Sequence, residues 1–263
     1  MVIIGERLNS SRAQVYKALA QRDEAYLIEE AQKQKAAGAG YIDLNTAALL
    51  DEEIQTLKWA IPLLQNKLTI SLSIDTPNHK AIEEGLSLHK GQALLNSLTG
   101  EKERINNLLP LIKKYRPGVV VLCLDDEGIP NNPKKKLSIA QRMVEFLKKE
   151  GVSPEDIFID PLVHSIGVDQ DAANLFLDSL RIIKKNLPGI KTIAGISNIS
   201  FGLPRRRLLN RTFLVLALHN GLDAAIIDPL DRQLISCIHS TQALLGKDPF
   251  LKRYLSFIRS NVG

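Results

Sequence analysis

The first ten residues, MVIIGERLNS (1–10), set a short apolar run, Val2 to Ile4, directly before Gly5, Glu6 and Arg7. A β-branched run that meets a charged side chain at once reads as a strand whose C-terminal end carries polar groups. What is missing also matters. No Gly-x-Gly-x-x-Gly fingerprint follows the run and the chain holds no Walker sequence, so nucleotide-binding versions of an open, doubly wound sheet lose their main support. Working outward, seven further apolar runs predict strands at Tyr41 to Leu44, Thr69 to Ile74, Ala93 to Leu95, Val119 to Leu124, Ile157 to Ile159, Thr192 to Gly195 and Ala224 to Ile227. Between them the apolar spacing turns helical, as in Glu24 to Ala37, Glu52 to Leu64, Glu101 to Tyr115, Ser138 to Glu150, Ala172 to Lys185, Leu208 to His219 and Arg232 to Leu245. A last helix is expected from about Pro249 onward. Eight such units suit the roughly 250 residues of one TIM barrel. Residues 1–263 are therefore expected to form a single (β/α)8 domain.

Bulk properties narrow the function classes. The N-terminus lacks the apolar run and cleavage site of a signal peptide, and no stretch reaches the roughly 18 apolar residues of a membrane span. A cytoplasmic protein without a membrane partner is expected. Cys123 and Cys237 are too few for a disulfide framework or a cysteine-based zinc site. The net charge of +5 is compatible with an anionic partner, but the basic runs Lys134 to Lys136 and Arg205 to Arg207 are not interleaved with aromatics. Nucleic acid is not expected as a partner.

In α/β barrels the chemistry collects at the C-terminal ends of the strands. Here those ends carry Glu6, Asp43 with Asn45, Asp75, Asn96, Asp125, Asp160, Asn198 and Asp228. Taken singly, each reads first as a helix cap or an Asx turn. Asp43 and Asp228 suit caps or rim hydrogen bonds, and Asp125 to Glu127 suits a solvated acidic loop. As a set they form a ring of acceptors and amides that is costly to desolvate unless a ligand or water satisfies it. Histidine is absent from the first five strand ends, which does not resemble a zinc site. A divalent hard metal fits the oxygens. A pterin suits them better without being singled out, because its N3-H and 2-amino group form two adjacent donors that one carboxylate can accept.

Beyond these residue types, the actual strings resemble those of the methyltetrahydrofolate:corrinoid methyltransferases. They include Val-Ile-Ile-Gly-Glu-Arg-Leu-Asn (2–9), Ala-Ala-Gly-Ala (36–39) leading to Asp-Leu-Asn (43–45), Ser-Ile-Asp-Thr (73–76) and Ala-Ile-Glu-Glu-Gly-Leu (81–86). Leu-Asn-Ser (95–97), Gly-Ile-Pro (128–130), Ile-Asp-Pro-Leu (159–162), Gly-Ile-Ser-Asn (195–198) and Leu-Asn-Arg-Thr-Phe (209–213) continue the series in order. The resemblance runs nearly end to end. It implies a homodimeric barrel that passes the N5 methyl of methyltetrahydrofolate to cobalt(I) of a separate corrinoid (cobalamin) protein, with no metal bound by the chain itself. By position, Asp75, Asn96 and Asp160 match residues that hydrogen-bond the pterin, and Glu6 and Asn45 complete the expected substrate set. Asn198 matches the catalytic amide near N5, and Arg206 an arginine near the benzoyl-glutamate half. Arg205 and Arg207 suit a solvated loop as well as a ligand role.

The chain also departs from that pattern. Phe201 follows Ser200 where the branch serving the corrinoid/iron-sulfur protein usually has Gln, and Cys123-Leu124-Asp125 replaces its Thr-Met-Asn. Cys123 is expected to be a compact core residue, and His164 a loop residue outside the chemistry. No Asp-x-His-x-x-Gly corrinoid signature occurs, so the cobalt is expected on another protein. Two alternatives remain open at this stage. Dihydropteroate synthase shares the pterin grip, but its Gly-Gly-x-Ser-Thr-Arg-Pro-Gly signature is missing after the second strand. A non-catalytic folate-binding subunit that docks a corrinoid protein is the other; retention of Asn198 argues against it.

Overall fold

The computed structural model describes residues 1–261. Its eight strands are parallel and close in chain order: β1 (Val2–Asn9), β2 (Tyr41–Asn45), β3 (Ser71–Asp75), β4 (Leu94–Leu98), β5 (Gly118–Leu122), β6 (Ile157–Asp160), β7 (Lys191–Gly195) and β8 (Ala224–Ile227), which pairs back onto β1. Ten α-helices accompany them among the described residues: α1 (Ala13–Ala20), α2 (Glu24–Ala36), α3 (Glu53–Lys67), α4 (His79–Leu88), α5 (Lys102–Tyr115), α6 (Pro133–Lys149), α7 (Ala172–Asn186), α8 (Arg206–His219), α9 (Arg232–Leu244) and α10 (Lys252–Asn261). The expected (β/α)8 barrel is what forms. No helix among the described residues is long and apolar enough to cross a membrane.

Strand alternation explains how this barrel positions polar groups. Ile4, Leu94, Val120, Phe158, Ile193 and Ala224 form a buried cluster of their own inside the barrel, separate from the helix-facing core. Side chains repeat their direction every second residue along a strand. Two steps beyond these six lie Glu6, Asn96, Leu122, Asp160, Gly195 and Ile226. The register Asp43↔Ser73↔Leu94 puts Asp43 in the apolar cluster's layer, and Asn45↔Asp75↔Asn96 puts Asn45 and Asp75 in the layer above. The last interior layer before the C-terminal mouth is thus polar on β1 to β4 and β6, and apolar or bare on β5, β7 and β8.

Several sequence expectations need correction. β1 does not stop at Ile4: pairing shifts between Gly5 and Leu8 and resumes to Asn9, so Glu6 lies within the strand, at an irregularity. Asp43 is neither a cap nor a rim residue, because it is 2% exposed and sits inside the barrel. Helices α1 and α4 lie outside the helical segments that the apolar spacing predicts. α4 starts at a regular cap, with Asn78 accepting from the amides of Lys80 and Ala81. It also carries Gly85 where it crosses β3, and a Cβ there would come within 2.9 Å of Ile74 Cγ2. Close helix–strand approach, rather than helix propensity, selects that glycine.

Candidate functional site at the barrel mouth

The polar layer divides into two parts. On β2 to β4 the side chains bond one another. Asn45 Nδ2 donates to Asp75 Oδ2 at 2.7 Å, while Asn45 Oδ1 accepts from Ser10 Oγ at 3.2 Å and from the Ala47 amide at 3.3 Å. Asp43 Oδ1 accepts from Ser73 Oγ at 2.7 Å and from Asn96 Nδ2 at 3.3 Å. Burial pushes the Asp43 carboxyl well above the usual carboxylate range, and the charge of Asp75 adds to it. Asp75 is also raised, by burial, though less because Asn45 donates to it. Of the two, Asp75 has the stronger claim to a negative charge. Both ends of the Asn45 carboxamide are engaged, and its Nδ2 bond orients Asp75.

Asp160 stands apart at the tip of β6. Its Oδ1 accepts from the Leu162 amide at 2.7 Å, and no protein donor among the described residues reaches Oδ2. Burial raises its pKa to about 7 against the opposing pull of that amide and of Lys136. Asn96 likewise spends its Nδ2 on Asp43, while its Oδ1 accepts from no protein donor among the described residues. These two residues retain acceptor capacity that the fold does not use.

The second part is an open cavity of about 490 Å³ on the β1, β7 and β8 side, a volume in the range of small-molecule sites. Glu6, Asn198 and Arg206 line it, together with Arg12, Arg207 and Asp228. Asn45, Asp75, Asn96 and Asp160 do not, so the predicted residues share one mouth but only three share this cavity. Asn198 sits in the short 3-10 turn Ile196–Ser200 that follows β7, and its exposed carboxamide has no hydrogen-bond partner among the described residues. Gly195 makes room for it: a Cβ there would lie 3.1 Å from Asn198 Nδ2. Ser197 Oγ donates to Glu6 Oε2 at 3.1 Å. Burial nonetheless raises Glu6 to about 7, helped by Asp228 and opposed by Ser197, Arg12 and Arg206.

Arg206 is held in place by the same turn. Its Nε donates to Ser200 Oγ at 3.1 Å, its Nη2 to the Ser197 carbonyl at 2.8 Å, and the guanidinium lies 5.9 Å from the centroid of the exposed Phe201 ring. Three arginines, Arg12, Arg206 and Arg207, thus stand on one cavity.

The comparisons with known proteins bear on this arrangement. The family model for pterin binding enzymes matches residues 5–228. The chain belongs to the pterin-binding enzymes. It is 36% identical over 261 residues to the methylcorrinoid:tetrahydrofolate methyltransferase of Eubacterium limosum, an alignment covering 98% of this chain and 96% of that one. It is also 28% identical over 240 residues to the methionine synthase of Mycobacterium tuberculosis; the match takes in 86% of this chain but 20% of that longer protein. Among solved structures, dihydropteroate synthase of Clostridium difficile superposes with a TM-score of 0.71 at 23% identity, covering 93% of this chain and 96% of that one. Dihydropteroate synthase of Xanthomonas albilineans with 4-aminobenzoic acid gives 0.73 at 16% identity, covering 93% of each. Likeness at that identity speaks for the pterin-binding enzymes' barrel and not for a shared reaction.

Sequence reasoning had not assigned site roles to Arg12, Ser197 or the interior Asp43. Ser197 carried a signal, since it lies next to Asn198 in a turn of polar residues. Arg12 could be found only by knowing that β1 continues past Glu6, which turns Asn9 to Arg12 toward the mouth's rim.

Proposed function

We propose that this pterin-binding enzyme transfers a methyl group between N5 of a tetrahydrofolate and the cobalt of a corrinoid carried by a separate protein. The observation that carries the reading is the carboxamide of Asn198, without a hydrogen-bond partner among the described residues, on the wall of a mouth cavity that Glu6 and three arginines also line. The 36% identity to a methylcorrinoid:tetrahydrofolate methyltransferase over nearly the whole of both chains supports it.

Each residue then has a task set by its chemistry. Asp160 accepts the N3-H and 2-amino donors of the pterin's pyrimidine edge, for which its oxygens still have lone pairs. Asn96 offers its free Oδ1 on the same side, and Asp75, oriented by Asn45, completes the polar wall. Arg206, fixed by Ser197 and Ser200, meets the anionic benzoyl-glutamate tail. At the reacting end, the methyl leaves N5 without the bonding electron pair, and that pair takes up a proton. Asn198 supplies a preorganised amide donor where this negative charge develops. Glu6, titrating at about 7, holds a proton that can be released at neutral pH.

The direction we assign is from methyltetrahydrofolate to cobalt(I). The relative's name runs from methylcorrinoid to tetrahydrofolate. One transition state serves both directions, so the same side chains act in each, with Glu6 as acid in one and base in the other. A homodimer in the cytoplasm accompanies this assignment through the resemblance. The test is anaerobic: the protein is mixed with methyltetrahydrofolate and cob(I)alamin, and separately with methylcobalamin and tetrahydrofolate. Catalysed appearance or loss of the methylcobalamin spectrum is expected. Folate binding without change in either mixture would favour the non-catalytic docking subunit.

A further inference from the structure

Lys136 is, with Phe176, among the largest fully buried side chains of the described residues, at 0% exposure. Two costs attend its position. A buried ammonium needs strong partners to offset its lost hydration, and among the described residues no carboxylate lies within 4 Å of the Lys136 ammonium. It also stands in the first turn of α6, where a positive charge opposes the helix dipole. An apolar side chain would avoid both. What the ammonium touches is the turn that follows β6: its Nζ donates to the Pro161 carbonyl at 2.6 Å and to the Leu162 carbonyl at 3.5 Å. That turn needs holding, because Leu162 has a φ of 65°, in the left-handed region that branched and bulky residues rarely occupy. It is also the turn whose Leu162 amide binds Asp160 Oδ1.

We propose that Lys136 is a positioning residue for the pterin site, acting through Asp160: it fixes the Asp160–Leu162 turn by two carbonyls and sets a positive charge behind the Asp160 carboxyl. The inference rests on the reading of Asp160 as the pterin's acceptor. The groups around the ammonium are the Cys123 thiol after β5, Asp160 on β6 and His164 in the following loop. Burial pushes the thiol well above its ordinary range and lowers His164, with Lys136 lowering His164 further. Burial also lowers the Lys136 ammonium from its ordinary value, against the pull of Cys123 and Asp160, and the Lys136 charge favours the ionised form of Asp160.

The experiment follows methyltetrahydrofolate binding by calorimetry from pH 5 to 9 in the unaltered protein, with Asp160→Asn identifying which limb of the profile belongs to Asp160. Lys136→Met strands two carbonyls and is expected to lower Tm. Lys136→Gln carries the test, since it keeps a donor for Pro161 without the charge. The expected result is that Lys136→Gln moves the Asp160 limb up by about one pH unit, while Lys136→Arg leaves it in place. A Lys136→Gln protein with a lower Tm and an unmoved limb would overturn the proposal, as would Lys136→Arg shifting the limb equally. Absence of folate binding by the unaltered protein would instead defeat the pterin reading itself.

Discussion

Asn198 and Asp160 divide the work of the site, and substitutions should separate them. The Asn198 side chain bonds no protein group among the described residues, so Asn198→Ala should leave folate affinity within about threefold while slowing methyl transfer roughly 100-fold. Stopped-flow rates and calorimetric affinities on the same preparation check this, and equal loss in both would remove Asn198 from the reacting end. Asp160→Asn should do the converse. An amide in place of the carboxylate leaves a pterin donor facing a donor, which costs about 1–3 kcal/mol of binding. The same change relieves a buried carboxyl whose pKa is raised to about 7, so the unliganded variant should melt higher than the original at pH 8. A variant that binds methyltetrahydrofolate normally, or melts lower at pH 8, would contradict the assignment. Asp43 shows why single residues were hard to read in advance. Its motif, Asp-Leu-Asn, looks like a strand end feeding a cap, and only the barrel's closure shows that its carboxyl faces Ser73 and Asn96.

At the scale of elements, the strands were legible because both faces of a parallel barrel strand are buried, which leaves nearly continuous apolar runs. Their ends were less so. β1 continues through Glu6 and Arg7 because the pairing slips between Gly5 and Leu8, and no local pattern announces such a slip. α1 has eight residues and no side-chain hydrogen bond from its N-cap Arg12, so the usual start signal is absent. α6 is the opposite case, with Asn132 accepting from the amides of Lys134 and Lys135 and Pro133 at the first position. Asn132→Ala should therefore cost about 1 kcal/mol, or roughly 2–4 °C in Tm for a domain of this size. That helix carries Lys136, so loss of the cap should also weaken folate binding modestly. Calorimetric melting with and without methyltetrahydrofolate measures both effects, and an unchanged Tm would mean the cap contributes nothing.

For the whole molecule, the mouth stores acidity. Glu6 and Asp160 titrate at about 7, and Asp43 lies well above its ordinary value, in each case chiefly through burial. A carboxyl whose folded pKa is raised binds protons more tightly folded than unfolded. Its stabilising contribution is complete below the unfolded value near 4 and is lost as pH rises through the folded value. Glu6 and Asp160 should thus cost the unliganded protein stability between about pH 4 and pH 7, on the order of several kcal/mol in total. Methyltetrahydrofolate works against that trend by binding the ionised Asp160. Its affinity should rise from pH 6 to pH 8, and the gap in Tm between liganded and free protein should widen over the same interval. An affinity that falls across it would mean that the protonated carboxyl is the binding form.

The polar layer and the open cavity are joined into one site only if a single ligand spans them. A crystal structure with methyltetrahydrofolate measures this directly. The account predicts the pyrimidine edge on Asp160 and Asn96, N5 within hydrogen-bonding reach of the Asn198 carboxamide, and the glutamate tail toward Arg206. A folate seated with its pterin away from Asp160, or with N5 remote from Asn198, would contradict it.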